Sequence, residues 1–460
     1  MTAPVPAPDA TTDTIAAIAT ALGEAGVSVI RISGPQAFDI ADRVFACKGE
    51  PPSQRSAGTF VFGHVVEGQT TIDQALCLIM RAPHSYTGEN VVELQGHGGH
   101  QCAKRILRCC LEAGARLAQP GEFTQRSFLN GRMDLVQAEA VLDLIHARSA
   151  RAAAAAMDQL DGQLSVQLHQ LYDRLIATAA DIEATLDFPE DELPETVMPA
   201  LIERLQESRA QCEALLDTWD EGHLLRDGAV VVISGKPNVG KSTLLNGLLG
   251  RDRAIVSDTP GTTRDTIEED LVIDGIPIRL IDTAGLRITD CEIEQIGIAR
   301  TRNQMARADL HIHLIDASDP SDTEEVDRLL TNQSTKLLVI ANKVDLIEAS
   351  EKPPAEFSIS ATQDTDIKRV KRYISKKLSA QIDLHSRPHA TISERHRDLL
   401  HKADSEIREV LSMLSTSSED LVPLASSRMR DVLDYLGQVT GRTYHDELLN
   451  NIFSRFCIGK

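Results

Sequence analysis

Apolar and polar positions change rhythm three times along the chain. Between residues 14 and 127, short apolar or alternating runs such as "VSVIRIS", "TFVFGHVV", "ALCLIMRAP" and "NVVELQG" read as strands. "QCAKRILRCCLEAG" repeats its apolar positions every three to four residues and reads as a helix, so this part is an α+β domain. From 128 to 225 the pattern is almost entirely helical, Ala- and Leu-rich, with a break at "DFPEDELP". The run "ARAAAAAMDQL" is helical on the same grounds, because alanine is the best helix former. Near "DEGHLLRDG" strands return: "AVVVIS", "IRLIDTAG", "LHIHLIDAS" and "KLLVIANK" alternate with helices across 226–383, the signature of a doubly wound α/β domain. "SERHRDLLHKADSEIREVLSML" then opens a second helical stretch, 384–460. The α/β domain is therefore read as an insertion into a helical domain. It occurs once. Residues 1–13 have neither the basic nor the apolar region of a signal peptide and read as a flexible tail.

Composition narrows this picture in a few places. A chain of 460 residues is too long for one core, and two to four domains is the expectation. The net charge of −21 argues against sequence-blind binding of polyanions, while leaving room for a local basic site. Aromatics at 3% leave few stacking platforms for single strands. The eight cysteines show no C-x-x-C spacing, and Cys109–Cys110 lie within a helical run. They read as reduced thiols of a cytoplasmic protein, packed as small hydrophobes. No apolar run approaches the roughly 18 residues of a membrane span.

The chemistry is concentrated in the α/β part. "GKPNVGKS", Gly235 to Ser242, fits G-x-x-x-x-G-K-[ST] and sits between "AVVVIS" and the helical "TLLNGLL". A buried strand thus delivers a glycine-rich loop whose N–H groups surround phosphates at a helix N-terminus. Lys241 would reach the β- and γ-phosphates, and Ser242 would ligate Mg²⁺. "DTPGTTRD" supplies Thr263 as a first switch onto Mg²⁺ and the γ-phosphate, and "IRLIDTAG" ends in Asp282, which would hold the metal's water, with Gly285 giving its N–H to the phosphate. In "NKVD" the Asp345 carboxylate is a double acceptor for guanine N1–H and N2–H₂; adenine would leave it unpaired. "ISAT" offers main-chain N–H groups at Ser360 and Ala361 to guanine O6. The expected GTP contacts are Asn238, Val239, Gly240, Lys241, Ser242 and Thr243; Ser257, Asp258, Thr259, Pro260, Gly261, Thr262 and Thr263; Asp282, Thr283, Ala284 and Gly285; and Asn342, Lys343, Asp345, Ser360, Ala361 and Thr362.

One position breaks the usual pattern. Leu286 follows Gly285 where Ras-type enzymes carry the Gln that orients the attacking water. Two features stand in for it. The Asn238 amide and the carbonyls of "SDTPGTT" can wrap a monovalent cation, and K⁺ there would supply the charge of an arginine finger. Alternatively Asp290, Glu292 or Glu294 aligns the water, and residue type does not choose among them.

The G-domain run "GKPNVGKSTLLNGLLGRDRAIVSDTPGTTRD", with "DTAGLR" and "EIEQIGIAR", resembles the tRNA-modification GTPase family MnmE (TrmE). So do "VIRISGP", "SYTGENVVELQGHGG", "PGEFTQRSFLNGRMDLVQAEAVLDLI" and the terminal "FCIGK", spread over nearly the whole chain. The resemblance implies a multidomain fold: an α+β N-terminal folate-binding and dimerisation domain, an all-α helical domain, and an inserted Ras-like P-loop GTPase domain. It implies a homodimer, and K⁺ held by Asn238 with carbonyls of Ser257, Thr259 and Thr262. It makes Glu294 the water-orienting, catalytic residue. It further implies a partnership with the FAD-dependent protein MnmG, modifying C5 of the wobble uridine of certain tRNAs to the aminomethyl or carboxymethylaminomethyl form. The carbon would come from a folate such as 5-formyl-tetrahydrofolate, held by Arg31, Glu93, Arg132 and Lys460.

The chain departs from the family pattern at three places: Arg132 where Lys is frequent, "GEAG" where "GRGG" precedes the "RIS" strand, and "QDTD" after "SAT". Cys457 in "FCIGK" has no sequence-adjacent base and reads as a packed thiol. Two other classes compete. A ribosome-assembly GTPase would show a second G domain, or a C-terminal KH domain; "GHGG" fits the KH loop nominally but is N-terminal. A slow, non-enzymatic switch is the other, and Asn238 with Glu294 speaks against it.

Overall fold

A computed structural model describes residues 13–187, 197–250, 268–282, 308–319, 336–348, 355–379, 391–416 and 421–460. These fall into two compact units, 1–142 with 433–460, and 143–432. Among the described residues no helix is long and apolar enough to cross a membrane.

The first unit is built on β1 (Ile15–Ile18), β2 (Val27–Ser33), β3 (Phe45–Cys47), β4 (Thr59–Glu67), β5 (Thr70–Met80), β6 (Val91–His97) and β7 (Arg116–Leu117), in the order β3-β4-β5-β6-β2-β1-β7. All neighbours run antiparallel except β1 and β7. The two-residue period sorts the faces: in β5, Ala75, Cys77 and Ile79 are buried while Gln74 and Leu76 are exposed. Helices Ala37–Val44 and His100–Glu112 contribute to the core that the inner face closes, through Phe38, Ile40, Ala103 and Ile106. Cys109 and Cys110 are buried in it as the small apolar residues they were expected to be. The chain's last residues return to this sheet. Pro120 and Ile458 form a bridge, the Gly121 N–H donates to the Cys457 carbonyl at 3.4 Å, and a Cβ on Gly459 would lie 2.3 Å from the Ile18 oxygen.

The "GHGG" loop has a packing explanation here. A Cβ at Gly98 would sit 1.8 Å from the Ala25 carbonyl oxygen, and the Gly98 N–H donates to Gly26 at 3.3 Å. Gly98 therefore lets the two backbones touch, where any side chain would collide with the Ala25 carbonyl.

The second unit opens with helices Ala150–Leu160, Gln163–Asp187, Val197–Leu216 and Trp219–Arg226, and resumes with Glu394–Ser415 after the sheet. Ser149 caps the first of them, and Ser393 with His396 forms a reciprocal capping box on the last. "DEGHLLR" is helical up to Arg226, and only Asp227 and Gly228 separate it from the sheet. That sheet holds β8 (Ala229–Ser234), β9 (Glu268–Ile273), β10 (Ile276–Asp282), β11 (Leu310–Asp316), β12 (Leu337–Asn342) and β13 (Phe357–Ser358). Its order is β13-β12-β11-β8-β10-β9, parallel throughout except β9. Connections leave β8 to both sides, so the carboxyl end of β8 is the point where an open α/β sheet binds its ligand.

Candidate functional site

At that end stands the phosphate loop. β8 is buried along Val231 to Ser234, and helix Lys241–Leu249 follows with Leu244 and Leu248 in the core. Three positive-φ residues shape the loop between them: Gly235 at 143°, Asn238 at 65° and Gly240 at 100°. A Cβ on Gly240 would meet the Asn342 Nδ2 at 2.2 Å, and one on Gly235 the Leu314 oxygen at 2.2 Å. Both positions exclude every side chain. Lys241 is buried, its Nζ donating to the carbonyls of Gly235 at 2.8 Å and Lys236 at 2.7 Å. Asn238, Ser242 and Thr243 are exposed, and Val239 is buried.

The guanine-loop residues are tied to the phosphate loop by one side chain. Asn342, 3% exposed, donates from Nδ2 to the Val239 carbonyl at 2.7 Å and accepts at Oδ1 from the Ala361 N–H at 2.9 Å. The Ser360 N–H donates to Asp366 Oδ2 at 2.8 Å, and the Ser360 and Thr362 hydroxyls lie 2.9 Å apart. The unusual "QDTD" turn thus has a function: Asp366, in the first turn of helix Asp364–Ser379, reaches back to hold the loop. Lys343 takes φ 64° and its Nζ bonds Asp316 Oδ2 at 2.6 Å. Against the upward pull of burial, Lys343 and Ser318 hold the Asp316 carboxyl below its usual range. Asp345 follows with an exposed side chain. Sequence reading missed Asp316 and Asp366, whose roles depend on register and turn geometry. The signal for Asp316 was its place at the end of "LHIHLID", in register with Asn342.

Asp282 ends β10 beside Ile233 of β8. Ser257, Asp258, Thr259, Pro260, Gly261, Thr262, Thr263, Thr283, Ala284, Gly285 and Glu294 lie outside the described residues, as do Leu286, Asp290 and Glu292.

The first unit carries the other candidate site. Register places Phe60, Leu78, Glu93 and Arg31 in one cross-strand row, on one face of the sheet. Arg31 Nε bonds Glu93 Oε1 at 2.9 Å, and its guanidinium stands 5.2 Å from the Tyr86 ring and 5.5 Å from the Phe123 ring. Tyr86 and Phe123 were not singled out from sequence, although both lie in quoted motifs. Arg132 is exposed and packs its stem on the Tyr86–Asn90 turn, where a Cβ on Gly88 would meet it at 3.2 Å. Lys460 follows Gly459 at the edge of β1. The structure brings Arg31 and Glu93 into contact; Arg132 and Lys460 sit on separate segments around the same sheet. Cys457 is exposed rather than packed: it and Ile458 face outward between buried Phe456 and Gly459. Buried Arg126 bonds Asp13, Glu89 and Glu122, a network that ties the segment leading into β1 to two later stretches of the chain.

A strand–loop–helix phosphate cradle on a mostly parallel sheet, joined to an "NKVD" loop, defines the class: a P-loop GTPase domain carried by a larger protein. Residues 14–132 match the model of the "GTP-binding protein TrmE N-terminus", and 135–457 that of the "MnmE helical domain". The chain is 41% identical to the tRNA modification GTPase MnmE of Chlorobium phaeobacteroides, over 97% of each chain. It is 42% identical to that of Geobacter sulfurreducens, over 97% of this chain and 99% of the relative. The chain belongs to the MnmE family of tRNA modification GTPases.

Proposed function

We propose that this chain hydrolyses GTP and uses the cycle, with the FAD-dependent partner MnmG, to modify C5 of the wobble uridine of certain tRNAs in the cytoplasm. The observation that carries the reading is Asn342, which holds the phosphate loop and the guanine loop as one rigid receptor. A ribosome-assembly role has no observation in its favour, since the family matches extend over the N-terminal and helical parts.

The residues fit the groups this reading needs. Ser242, exposed at the helix start after a cradle closed to any Cβ, would hold Mg²⁺ together with Thr263. Asn238, exposed with its backbone turned to φ 65°, would hold K⁺ with Ser257, Thr259 and Thr262. Bound there, the cations neutralise charge that develops on the phosphates. Lys241 keeps a buried ammonium at the cradle, and its two carbonyl bonds are exchanged for phosphate oxygens when GTP enters. Asp345 selects guanine. Glu294 orients the water in place of Leu286 and holds it for attack on the γ-phosphate.

In the first unit, the Arg31–Glu93 pair between two aromatic rings suits a flat, hydrogen-bonding ring, and Arg132 and Lys460 suit an anionic glutamyl tail, as a folate has. The same face exposes Phe60 at 70% and Phe62 at 58%, an apolar surface that a second copy would cover, which supports a homodimer. The test is GTP hydrolysis in KCl and in NaCl at equal ionic strength, with Glu294→Ala beside the unaltered protein. Strong K⁺ dependence and loss of turnover in the variant are expected. Equal rates in the two salts would remove K⁺ from Asn238, and an active variant would move the water's guide to Asp290 or Glu292.

A further inference from the structure

Helix Asp364–Ser379 turns Ile367, Val370, Ile374 and Leu378 into the core of the sheet, positions that recur every three or four residues and mark one face. The opposite face carries a charge of the sign the chain as a whole lacks. Lys368, Arg369, Arg372 and Lys376 are exposed along it, and Lys371 and Lys377 are half-buried at its margins. Residues 355–379 hold these six cations against three carboxylates, Glu356, Asp364 and Asp366, a net of +3 in a molecule of net −21.

The carboxylates do not cancel the face. Asp366 pairs with Arg369 at 2.8 Å, and Glu356 accepts from the Tyr373 hydroxyl at 3.1 Å. Lys371 and Lys376 make further contacts of their own. Lys368 and Arg372 form no ion pair among the described residues. Helix electrostatics accounts for the ends only: Asp364 and Asp366 suit the positive amino end, and Lys376 and Lys377 the negative carboxyl end, an effect that fades beyond the first and last turns. Lys368 and Arg372 stand in the middle turns and gain little from it. Beside the row, the Phe357 and Tyr373 ring centroids are 5.2 Å apart; the Arg369 guanidinium lies 5.0 Å from the first and the Lys377 Nζ 5.8 Å from the second. The rings restrain these two cations before any ligand arrives, which lowers the entropy lost on docking.

We propose that this face is a docking surface for the phosphate backbone of an RNA strand. Lys368, Arg372 and Lys376 repeat every four residues, about 6 Å of helix axis at each step. Such a row sets one cation after another against the closely and evenly spaced charges of a single strand. The proposal rests on the tRNA reading above and gives that substrate a contact on a chain whose remainder is more acidic still and repels a polyanion.

The experiment measures binding of fluorescently labelled bulk tRNA to full-length protein by anisotropy at several salt concentrations. Lys368→Gln/Arg372→Gln removes two charges and Lys368→Glu/Arg372→Glu reverses them; both replacements are good helix formers at exposed positions. Lys48→Glu, exposed in the first unit, is the control. The Gln pair should bind tRNA about tenfold more weakly and the Glu pair more weakly again, with a salt slope shallower by about 1.4 to 1.8 for two lost contacts, while the control binds as the unaltered chain does. Binding that neither helix variant weakens overturns the docking face and leaves the tRNA reading standing. A loss in Lys48→Glu as large as in the Gln pair also overturns it, since the effect would then follow net charge alone. Unchanged tRNA affinity with loss of self-association in sedimentation assigns the face to a second, acidic copy of the chain and overturns RNA as its occupant. GTP hydrolysis and thermal unfolding on the same samples separate the readings. Hydrolysis by a folded chain that binds no tRNA sinks the docking face and spares the GTPase; the expected weakening in a chain without hydrolysis supports the face and sinks the GTPase reading alone.

Discussion

Asn342→Ala tests whether the phosphate and guanine loops act as one receptor. In the folded protein the amide is 3% exposed and makes two bonds of 2.7 and 2.9 Å, one to each loop. Truncation leaves the Val239 carbonyl and the Ala361 N–H without those partners. Each orphaned buried group costs about 1–3 kcal/mol, and partial relaxation or water entry brings the pair to roughly 2–4 kcal/mol. Part of that appears as lost domain stability and part as lost nucleotide affinity, since the loops must be reordered by the ligand itself. At 1.4 kcal/mol per tenfold, GDP and GTP affinities should fall by about 10- to 100-fold. Asn342→Asp separates the two bonds: it keeps the acceptor for Ala361 but sets a carboxylate against the Val239 carbonyl, and should be at least as damaging. Calorimetric titration with GDP, paired with thermal unfolding, measures both parts. Affinity within threefold of the unaltered protein and an unmoved unfolding transition in Asn342→Ala would refute the tie.

Other expectations follow from the same geometry. Gly240→Ala places a methyl 2.2 Å from the Asn342 amide at a φ of 100°, so GTP binding should be lost in a titration while the first unit keeps its fold. Asp345→Asn replaces a double acceptor by a donor and an acceptor; GTP affinity should drop about 100-fold or more, and xanthosine triphosphate, which carries an oxygen at C2, should gain. His223 is raised by its bond to Asp227, and Asp227 is lowered by His223 and Arg226 against the effect of burial. The raised histidine contributes stability that is complete below its unfolded pKa near 6.5 and is lost as pH rises through the folded value; the lowered carboxyl contributes above about 4. Asp227→Asn should therefore destabilise the second unit more at pH 5.5 than at pH 8.5 in denaturant melts, and an equal loss at both would remove the ion pair from the account.

How far the sequence speaks depends on whether a residue's role is local. The phosphate loop is local: a strand, three turn positions and a helix within "AVVVISGKPNVGKSTLLNGLL" determine it, and the strands and helices quoted from periodicity are found where the pattern placed them. β9 went unread because "EEDLVI" is an edge strand, whose acidic start breaks the apolar run, and β1 because "IAAI" is short and Ala-containing. Asn342 was legible as a nucleotide residue but not as a tie, since its partners lie 103 and 19 positions away. Arg31 and Glu93 are 62 residues apart, and only the antiparallel register makes them neighbours.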